Sequence, residues 1–360
     1  MTIQDRNIIW LDLFEFLGYH RKRQLLDIFE KEDDIKASFL SNKKIYDILT
    51  EQEINKMSTM LSNEKLDKII ETYEKSGIIT ITINDEKYPT LLKEISTPPL
   101  CLYCKGNIQL LNSFCVGVVG SRKATDYGLV VTEKYVKALT EADVCVVSGM
   151  ALGVDTIAHK TTLEHQGKTI AVLAGGFNHI YPVSNINLFR KITENNLVIT
   201  ENNPNIPPLA YQFPIRNRII AGLSRAILVT EANIKSGSLI TKDYALEFNR
   251  EIFAVPGKIT SQMSSGTNAL IRDLQGCCTI NPEDMIDKLG LKRQEKNKNS
   301  SIQLDIETKI VLDYIQTEKH TFQEIVDFAK ISASKLSIIL TELEIANLVK
   351  RLPNNSYIAT

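Results

Sequence analysis

The feature that most constrains the fold of this chain is an alternation of short apolar runs and helical patterns between Phe114 and Ile280. Each apolar run has four or five residues and ends near Gly, Ser, Glu or Pro, as buried strands do. The segments between them place apolar residues at the spacing of an amphipathic helix. We therefore predict an α/β fold with a doubly wound parallel sheet covered on both faces. Its predicted strands are Cys115–Val119, Val144–Val147, Thr169–Leu173, Leu197–Thr200, Ala226–Thr230 and Glu251–Val255.

Three other segments flank this sheet domain, which we place at residues 81 to 290. Residues 1 to 80 have apolar residues at helical spacing and predict a small helical domain. Residues 291 to 301 are almost entirely polar and predict a linker. Residues 302 to 360 predict a winged-helix-like domain. Its predicted elements are helices at Ile306–Ile315, Phe322–Ala329 and Lys335–Leu343, the last opened by Ser332 or Ser334, and closing apolar pairs at Leu348–Val349 and Tyr357–Ile358.

The charge balance restricts where a polyanion could bind. The chain has 42 basic and 43 acidic residues and a net charge of -1, so no global field attracts nucleic acid. Residues 1 to 80 carry 12 basic and 15 acidic residues, and residues 302 to 360 carry 6 and 8. For the C-terminal domain we therefore favour protein contact over DNA contact. Any polyanion site must be local.

The sequence lacks signals for a membrane location or for a bound metal. No basic and apolar leader opens the chain, and no run of about 18 apolar residues occurs, so a soluble, cytoplasmic protein is expected. The six cysteines show no disulfide framework. Cys101 and Cys104 form one C-x-x-C without a second Cys or His pair, so zinc is not expected, nor is any cofactor.

The candidate site residues lie at the predicted carboxyl ends of the strands, where ligands bind in doubly wound sheets. Gly120, Ser121 and Arg122 follow the first strand, and Arg122 can hold a phosphate with two hydrogen bonds. The sequence here matches neither the dinucleotide fingerprint nor the P-loop. The second strand leads into Ser148 and Gly149, and a glycine there lets the backbone approach a ligand.

Two further residues after the second strand have a structural interpretation. Asp155 and His159 are four positions apart on one predicted helix, and we expect them to bond to each other and brace the loop. They lack a nucleophile or a metal partner, which argues against catalysis. Tyr181, after the third strand, is interpreted as a packing residue.

The segment from Phe213 to Arg218, with the loop Ser236–Thr241, combines an aromatic ring, two cations and a Gly/Ser turn. These are the parts needed to hold a phosphate backbone and stack a base. Arg216 and Arg218 are two positions apart, so on a helix they diverge by about 200° and do not share one phosphate. One can bind a ligand while the other ties the loop. The alternative is an internal salt bridge to Glu201 or Glu231.

These residues resemble the bacterial DNA processing protein A family (DprA, also called Smf). The resemblance runs in order over residues 85 to 280. The matching blocks are Val119–Arg122, Ser148–Asp155 with Ala158–His159, Ile170–Leu173 with Tyr181–Pro182, Phe213–Arg218, Ser236–Thr241 and Pro256–Gly257. Several family members carry a basic residue after the Tyr-Pro pair, where this chain has Val183, so that phosphate contact is absent or moves to Lys123 or Lys242.

The resemblance implies an extended Rossmann-like fold and a homodimer that binds single-stranded DNA, protects incoming DNA in natural transformation and loads RecA recombinase onto it. It implies no catalysis, and it fits an N-terminal domain of the sterile-alpha-motif type and a C-terminal winged helix. Ser121, Arg122 and the loop Ser236, Gly237, Ser238 would hold phosphates, and Phe213 would lie near a base. Arg216, Asn217 and Arg218 would build the pocket. The predicted site also includes Gly120, Ser148, Gly149, Thr241 and Lys242.

Two other functions are weighed against this one. Phosphoribohydrolases of a related fold use a Pro-Gly-Gly-x-Gly-Thr-x-x-Glu loop, and in the comparable loop here Thr241 occupies the position of the catalytic glutamate. Glu231 or Asp243 could in principle replace it. A transcription regulator acting through residues 302 to 360 is disfavoured because that segment has few basic residues.

Overall fold

The structure is a computed structural model, and it describes residues 2–29, 35–60, 62–292, 305–316, 319–345, 348–352 and 356–359. The chain divides into two compact units, Met1–Gln294 and Glu295–Thr360. The predicted linker at 291 to 301 lies outside the described residues from position 293 onward. The predicted boundary near residue 80 falls inside the first unit and stays a prediction.

The first unit begins with helices, continues through two antiparallel strands and then alternates strands with helices. The helices are α1 Ile3–Asp12, α2 Tyr19–Ile28, α3 Ile35–Ser38, α4 Glu51–Ser58, α5 Asn63–Lys75, α6 Thr90–Lys93, α7 Asp126–Glu141, α8 Val154–Glu164, α9 Ile186–Asn195, α10 Gln212–Leu223, α11 Leu239–Glu247, α12 Ser265–Arg272 and α13 Pro282–Lys288. The strands are β1 Ile79–Thr82, β2 Cys101–Gly106, β3 Cys115–Val119, β4 Cys145–Ser148, β5 Lys168–Val172, β6 Leu197–Thr200, β7 Ala226–Val229, β8 Glu251–Ala254 and β9 Cys277–Cys278. Short 3-10 helices cover Lys43–Asp47, Ile108–Asn112, Val183–Asn185 and Gln262–Ser264.

The central sheet confirms the predicted fold class. Its strand order is β1-β2-β6-β5-β4-β3-β7-β8-β9, and the pairs from β6 to β9 are all parallel. The chain builds outward from β3 through β4, β5 and β6, and then returns to the other side of β3 with β7 and β8. This reversal between β3 and β7 is a topological switch point, the place where open α/β sheets bind ligands.

The sequence forms these strands because both faces of the sheet are covered. All residues of β3 and β7 are buried. In β3, Val116 and Val118 belong to one buried cluster, which includes residues of α7 and α8, while Cys115 and Val119 belong to another, which includes Ile219 of α10. Successive side chains of a strand point to opposite faces, so an uninterrupted apolar run satisfies both layers.

The sheet is longer than predicted at both edges. Strands β1 and β2 add an antiparallel pair beside β6, and the two-residue β9 pairs with β8. The N-terminal helices attach to this antiparallel edge by hydrogen bonds. The Thr82 hydroxyl donates to Asp5 at 2.5 Å, and the Tyr103 hydroxyl donates to Asp12 at 2.9 Å. The helical character predicted for residues 1 to 80 is confirmed, while the sterile-alpha-motif assignment stays a prediction.

The second unit has α14 Ile306–Ile315, β10 His320–Thr321, α15 Phe322–Ala329, α16 Ala333–Ile345, β11 Val349–Leu352 and β12 Ser356–Ala359. Its antiparallel sheet has the order β10-β12-β11. The bounds predicted for the first two helices are confirmed, and the amide of Lys335 donates to the Ser332 hydroxyl at the start of the third. The winged-helix-like assignment stays a prediction. Among the described residues, no helix has both the length and the apolar character required to cross a membrane.

Candidate functional site

A cleft of about 740 Å³ lies at the carboxyl ends of β3 and β7. One wall is the turn after β3, with Ser121 and Arg122. The second wall is the start of α10, with Phe213, and the third is the loop Ser236–Ser238 before α11. The switch point of the sheet thus brings together three segments that are far apart in the sequence.

The aromatic and cationic side chains of the cleft contact each other. The guanidinium carbon of Arg122 lies 5.1 Å from the ring centroid of Phe213, in cation–π geometry. On another side, Tyr181 stands edge-on to Phe213, with 5.5 Å between the ring centroids. Tyr181 is 52% exposed and Arg122 is exposed, whereas Phe213 is half-buried. The cleft therefore presents a ring flanked by a cation and by a second ring.

The loop Ser236–Ser238 leads into the amino terminus of α11. The hydroxyls of Ser236 and Ser238 are 2.8 Å apart, and the Asn217 side-chain amide donates to the Gly237 carbonyl at 3.3 Å. The Thr241 hydroxyl, in the first turn of α11, lines the cleft, is buried and has no hydrogen-bond partner among the described residues. A helix amino terminus favours anions, and an unpartnered buried hydroxyl supplies a donor for one.

The turn after β3 is held by a buried glutamate at the end of β7. The Ser121 amide donates to the backbone carbonyl of Glu231 at 2.8 Å. The Glu231 carboxylate accepts hydrogen bonds from the amide and the hydroxyl of Thr125, at 2.8 and 2.7 Å. Glu231 is only 1% exposed and does not line the cleft. It therefore holds the turn that carries Ser121 and Arg122, and its carboxylate is bonded to Thr125.

Arg216 is buried and ties together two strand ends. Its Nη1 donates to the carbonyl of Gly149 at 2.6 Å and also to the carbonyl of Val172. Burial lowers the pKa of Arg216 to about 10, an effect that the carboxylate of Asp155 opposes. The guanidinium stays charged at neutral pH. Its side chain is only 4% exposed and is already bonded to two carbonyls. Arg216 therefore adds a fixed positive charge to the floor of the cleft.

Gly149 is required by the close approach of this arginine. A Cβ added at Gly149 would lie 2.5 to 2.6 Å from the guanidinium atoms of Arg216, so this buried and hydrogen-bonded side chain would have to shift. Ser148, one residue earlier, is fully buried and its hydroxyl donates to the Val118 carbonyl at 2.7 Å. The structure therefore places both residues behind the cleft wall.

The prediction that Asp155 and His159 bond to each other is wrong. Asp155 instead accepts hydrogen bonds from the amides of Gly149 and Ala151, at 3.1 and 3.3 Å. Nδ1 of His159 lies 2.7 Å from the Thr169 hydroxyl. Burial, reinforced by the nearby charge of Arg216, lowers the pKa of His159 to about 3, so this ring is neutral at physiological pH. Asp155 therefore braces the loop after β4, whereas His159 contacts a residue of β5.

Arg218 faces away from Arg216 and forms a two-pronged pair with Glu201, at 3.0 and 2.6 Å. The predicted divergence of the two arginines is confirmed, and Arg218 adopts the internal salt bridge that we considered as the alternative. Its side chain is 8% exposed. Lys242 likewise points elsewhere, pairing with Asp243 at 2.5 Å.

Among the residues predicted for the site, ten line the cleft and four do not. Those that line it are Gly120, Ser121, Arg122, Phe213, Arg216, Asn217, Ser236, Gly237, Ser238 and Thr241, and those that do not are Ser148, Gly149, Arg218 and Lys242. Lining residues outside the predicted site include Lys123 and Lys235, which are exposed, and Tyr181, which was interpreted as packing; Lys123 had been considered only as an alternative phosphate contact. Lys235 and Tyr181 could not be assigned to the site, because a lysine or a tyrosine in a loop is too common a feature to single out in one sequence.

Among the described lining residues, Asp155 carries the one carboxylate. This carboxylate accepts hydrogen bonds from two backbone amides. Burial raises the pKa of Asp155, against the lowering effect of Arg216. Asp243, a possible substitute for the phosphoribohydrolase glutamate, does not line the cleft, and neither does Glu231. No observation on these residues favours the hydrolase alternative.

Comparison with known proteins gives the family to which this chain is similar. Residues 79–290 match the family model described as DNA recombination-mediator protein A. The DNA processing protein DprA of Bacillus subtilis is 40% identical over 227 residues, covering 62% of this chain and 76% of that protein. The protein of the same description from Streptococcus pneumoniae is 44% identical over 194 residues, covering 54% and 68%.

Solved structures agree with these sequence matches. The X-ray structure of DNA processing protein A from Streptococcus pneumoniae superposes with a TM-score of 0.70 at 34% identity, covering 80% of this chain and 99% of that one. A structure of DNA processing protein A from Helicobacter pylori, described as giving insight into that protein's single-stranded DNA binding mode, has a TM-score of 0.54 at 30% identity. It covers 59% of this chain and 95% of that one.

Proposed function

We propose that this chain, which belongs to the DNA recombination-mediator protein A family, binds single-stranded DNA in the cleft at the switch point of its sheet. Membership of the family gives the chain a role in DNA processing and recombination. The observation that carries the proposal is the meeting of Arg122, Phe213 and the loop Ser236–Ser238 on one cleft.

Phosphate binding is assigned to the cations and to the two turns. Arg122, Lys123 and Lys235 are exposed on the cleft, and Arg216 adds its charge from below. The amino terminus of α11 carries a partial positive charge, and the unpartnered hydroxyl of Thr241 can donate a hydrogen bond. Both attract an anion, as the cations do. A chain with a net charge of -1 thus concentrates positive charge at one place, as a site for a polyanion requires.

Base binding is assigned to Phe213. Its half-buried ring is supported by Tyr181 and lies beside an arginine. Base stacking on an aromatic ring is tolerant of sequence, because every base has a π-face. Bases of a duplex are already stacked and paired, so this arrangement favours a single strand.

We further propose that the protein acts as a homodimer, protects incoming DNA in natural transformation and loads RecA recombinase, in the cytoplasm and without catalysis. These roles rest on the family resemblance. The structural support for a non-catalytic role is that the cleft carboxylate, Asp155, is committed to the amides of its own loop. Incubation with AMP should release no adenine, and released base would contradict this part of the proposal.

The experiment that tests DNA binding compares Arg122→Ala with the matched control Arg225→Ala. Arg225 is also an exposed arginine over a ring, 5.4 Å from the centroid of Phe114, but it does not line the cleft. A gel-shift titration at several salt concentrations should show weaker binding and a salt slope reduced by about 0.7 for Arg122→Ala. Arg225→Ala should match the wild type. Equal affinity and slope in all three proteins would refute the assignment.

A further inference from the structure

A second cavity, of about 540 Å³, lies beside the cleft and shares the side chain of Tyr181 with it. Its walls come from the loop after β5 and from α9, which contributes Phe189 and Arg190. Tyr181 is the ring that stands edge-on to Phe213 on the cleft side. The two cavities are therefore neighbours, and Tyr181 lines both of them.

The second cavity has an apolar surface that is open to solvent. Val183 is 72% exposed and Ile186 is 37% exposed, and both line the cavity with Tyr181. Phe189, which is buried, lines it as well and packs against Phe177 at 6.3 Å between ring centroids. Exposed apolar side chains grouped in a concave surface mark a binding site.

Arg190 adds a cation to this apolar cavity. It is exposed, and its side chain makes a contact of 3.5 Å between Nη1 and the side-chain oxygen of Asn187, one turn earlier in α9. No carboxylate of the described residues forms a salt bridge with it. Its charge is therefore available to an anion, in the same cavity as a surface suited to a flat ring.

We propose that this cavity is a second nucleotide subsite for the strand bound in the cleft. A base packs on Val183 and Ile186, Arg190 binds its phosphate, and the strand passes over Tyr181 between the two subsites. The inference rests on the proposed function, because the position of this cavity next to the cleft, with Tyr181 lining both, is what identifies the occupant as nucleic acid. A second subsite implies that the protein contacts more nucleotides than the cleft alone can hold. The protein would bind these nucleotides whatever their bases.

The test measures fluorescence anisotropy of labelled oligothymidylates of about 4 and about 12 nucleotides, lengths that bracket one subsite and several. The variants are Arg190→Ala, Val183→Asp and the control Lys191→Ala, which removes an exposed cation from the same helix outside the cavity. Arg190→Ala should weaken binding of the longer oligonucleotide by about fivefold and reduce its salt slope by about 0.7. Val183→Asp should also weaken it, because a carboxylate repels phosphate.

Binding of the shorter oligonucleotide should be the same in all of these proteins, and Lys191→Ala should match the wild type at both lengths. Wild-type affinity for the longer strand in both Arg190→Ala and Val183→Asp would overturn the second subsite, while the effect of Arg122→Ala would leave the proposed function standing. Failure of the wild type to bind either length would instead overturn the proposed function itself.

Discussion

The guanidinium of Arg122 lies over the ring of Phe213, with its central carbon 5.1 Å from the ring centroid. The cation comes from the turn after β3 and the ring from the first turn of α10. A ring attracts a cation through its quadrupole but carries no net charge, so the contact positions Arg122 without neutralising it. A carboxylate partner in the same place would have cancelled the charge that a phosphate requires.

Replacing Phe213 with Leu should weaken binding of single-stranded DNA by roughly 1 to 3 kcal/mol, the usual value of one stacked base. Phe213→Tyr keeps the ring and should bind as the wild type does. Phe114→Leu removes a second ring that lies under an arginine, Arg225, and provides the matched control. Anisotropy titrations at one salt concentration measure all four proteins, and an unweakened Phe213→Leu would exclude base stacking at this ring.

Thr241→Val removes the unpartnered hydroxyl of the cleft while keeping the shape of the side chain. We expect unchanged or slightly higher stability, because no hydrogen bond within the protein is lost, and DNA binding weaker by about 1 kcal/mol. Thr132→Val is the contrasting control, because that hydroxyl donates to the Gly128 carbonyl and contacts the Thr230 hydroxyl, both at 2.7 Å. It should lose about 1 kcal/mol of stability and keep its affinity. Urea unfolding measures the stability of both variants, and anisotropy measures their DNA affinity. Loss of stability in Thr241→Val with unchanged affinity would contradict the role of Thr241.

Gly149→Ala should destabilise the fold, since the new methyl group meets the Arg216 guanidinium at 2.5 Å. The expected loss is about 1 to 3 kcal/mol, the usual cost of overpacking. A Cβ at Gly237 has no atom within 4 Å, so Gly237→Ala should unfold at nearly the same urea concentration as the wild type. Equal stability of the two variants would mean that Arg216 moves aside without cost.

His159 should make the stability of the protein depend on pH. Burial lowers its pKa to about 3 in the folded state, whereas the ordinary pKa of a histidine side chain is 6.5. Between these pH values the unfolded chain binds a proton that the folded chain excludes, so stability rises with pH in this window and is lost as pH falls. Urea unfolding at pH 7 and pH 5 should show that the wild type loses about 2 kcal/mol more than His159→Gln. Parallel losses in the two proteins would place the His159 pKa near its ordinary value.

The centre of the fold was predictable because burial there is complete on both faces. The strand Cys115–Val119 has the predicted bounds, because a strand buried between two helical layers produces an uninterrupted apolar run that can be recognised in the sequence. Strands β1 and β2 were not predicted because they carry Thr and Lys among their apolar residues. The two-residue β9 is too short to produce any pattern.

The site was predictable where the residue types are unusual for their position. Arg122 and Phe213 stand out in the sequence, and the structure places both on the cleft. The error on Asp155 and His159 arose because helical spacing ignores tertiary partners: Asp155 accepts from the Gly149 amide, and Nδ1 of His159 contacts the Thr169 hydroxyl. The separation of Arg216 from Arg218 followed from helix geometry alone, but only the structure identified Glu201 as the partner of Arg218.

The buried position of Arg216 affects how loss-of-binding alleles should be interpreted. Its guanidinium joins the ends of β4 and β5 and its side chain is only 4% exposed, whereas Arg122 is exposed on the cleft. A genetic screen scored only by DNA binding would recover substitutions of both arginines as one phenotype. Cellular abundance would separate them, because an Arg216 allele lowers the amount of folded protein and an Arg122 allele leaves a full complement of inactive protein.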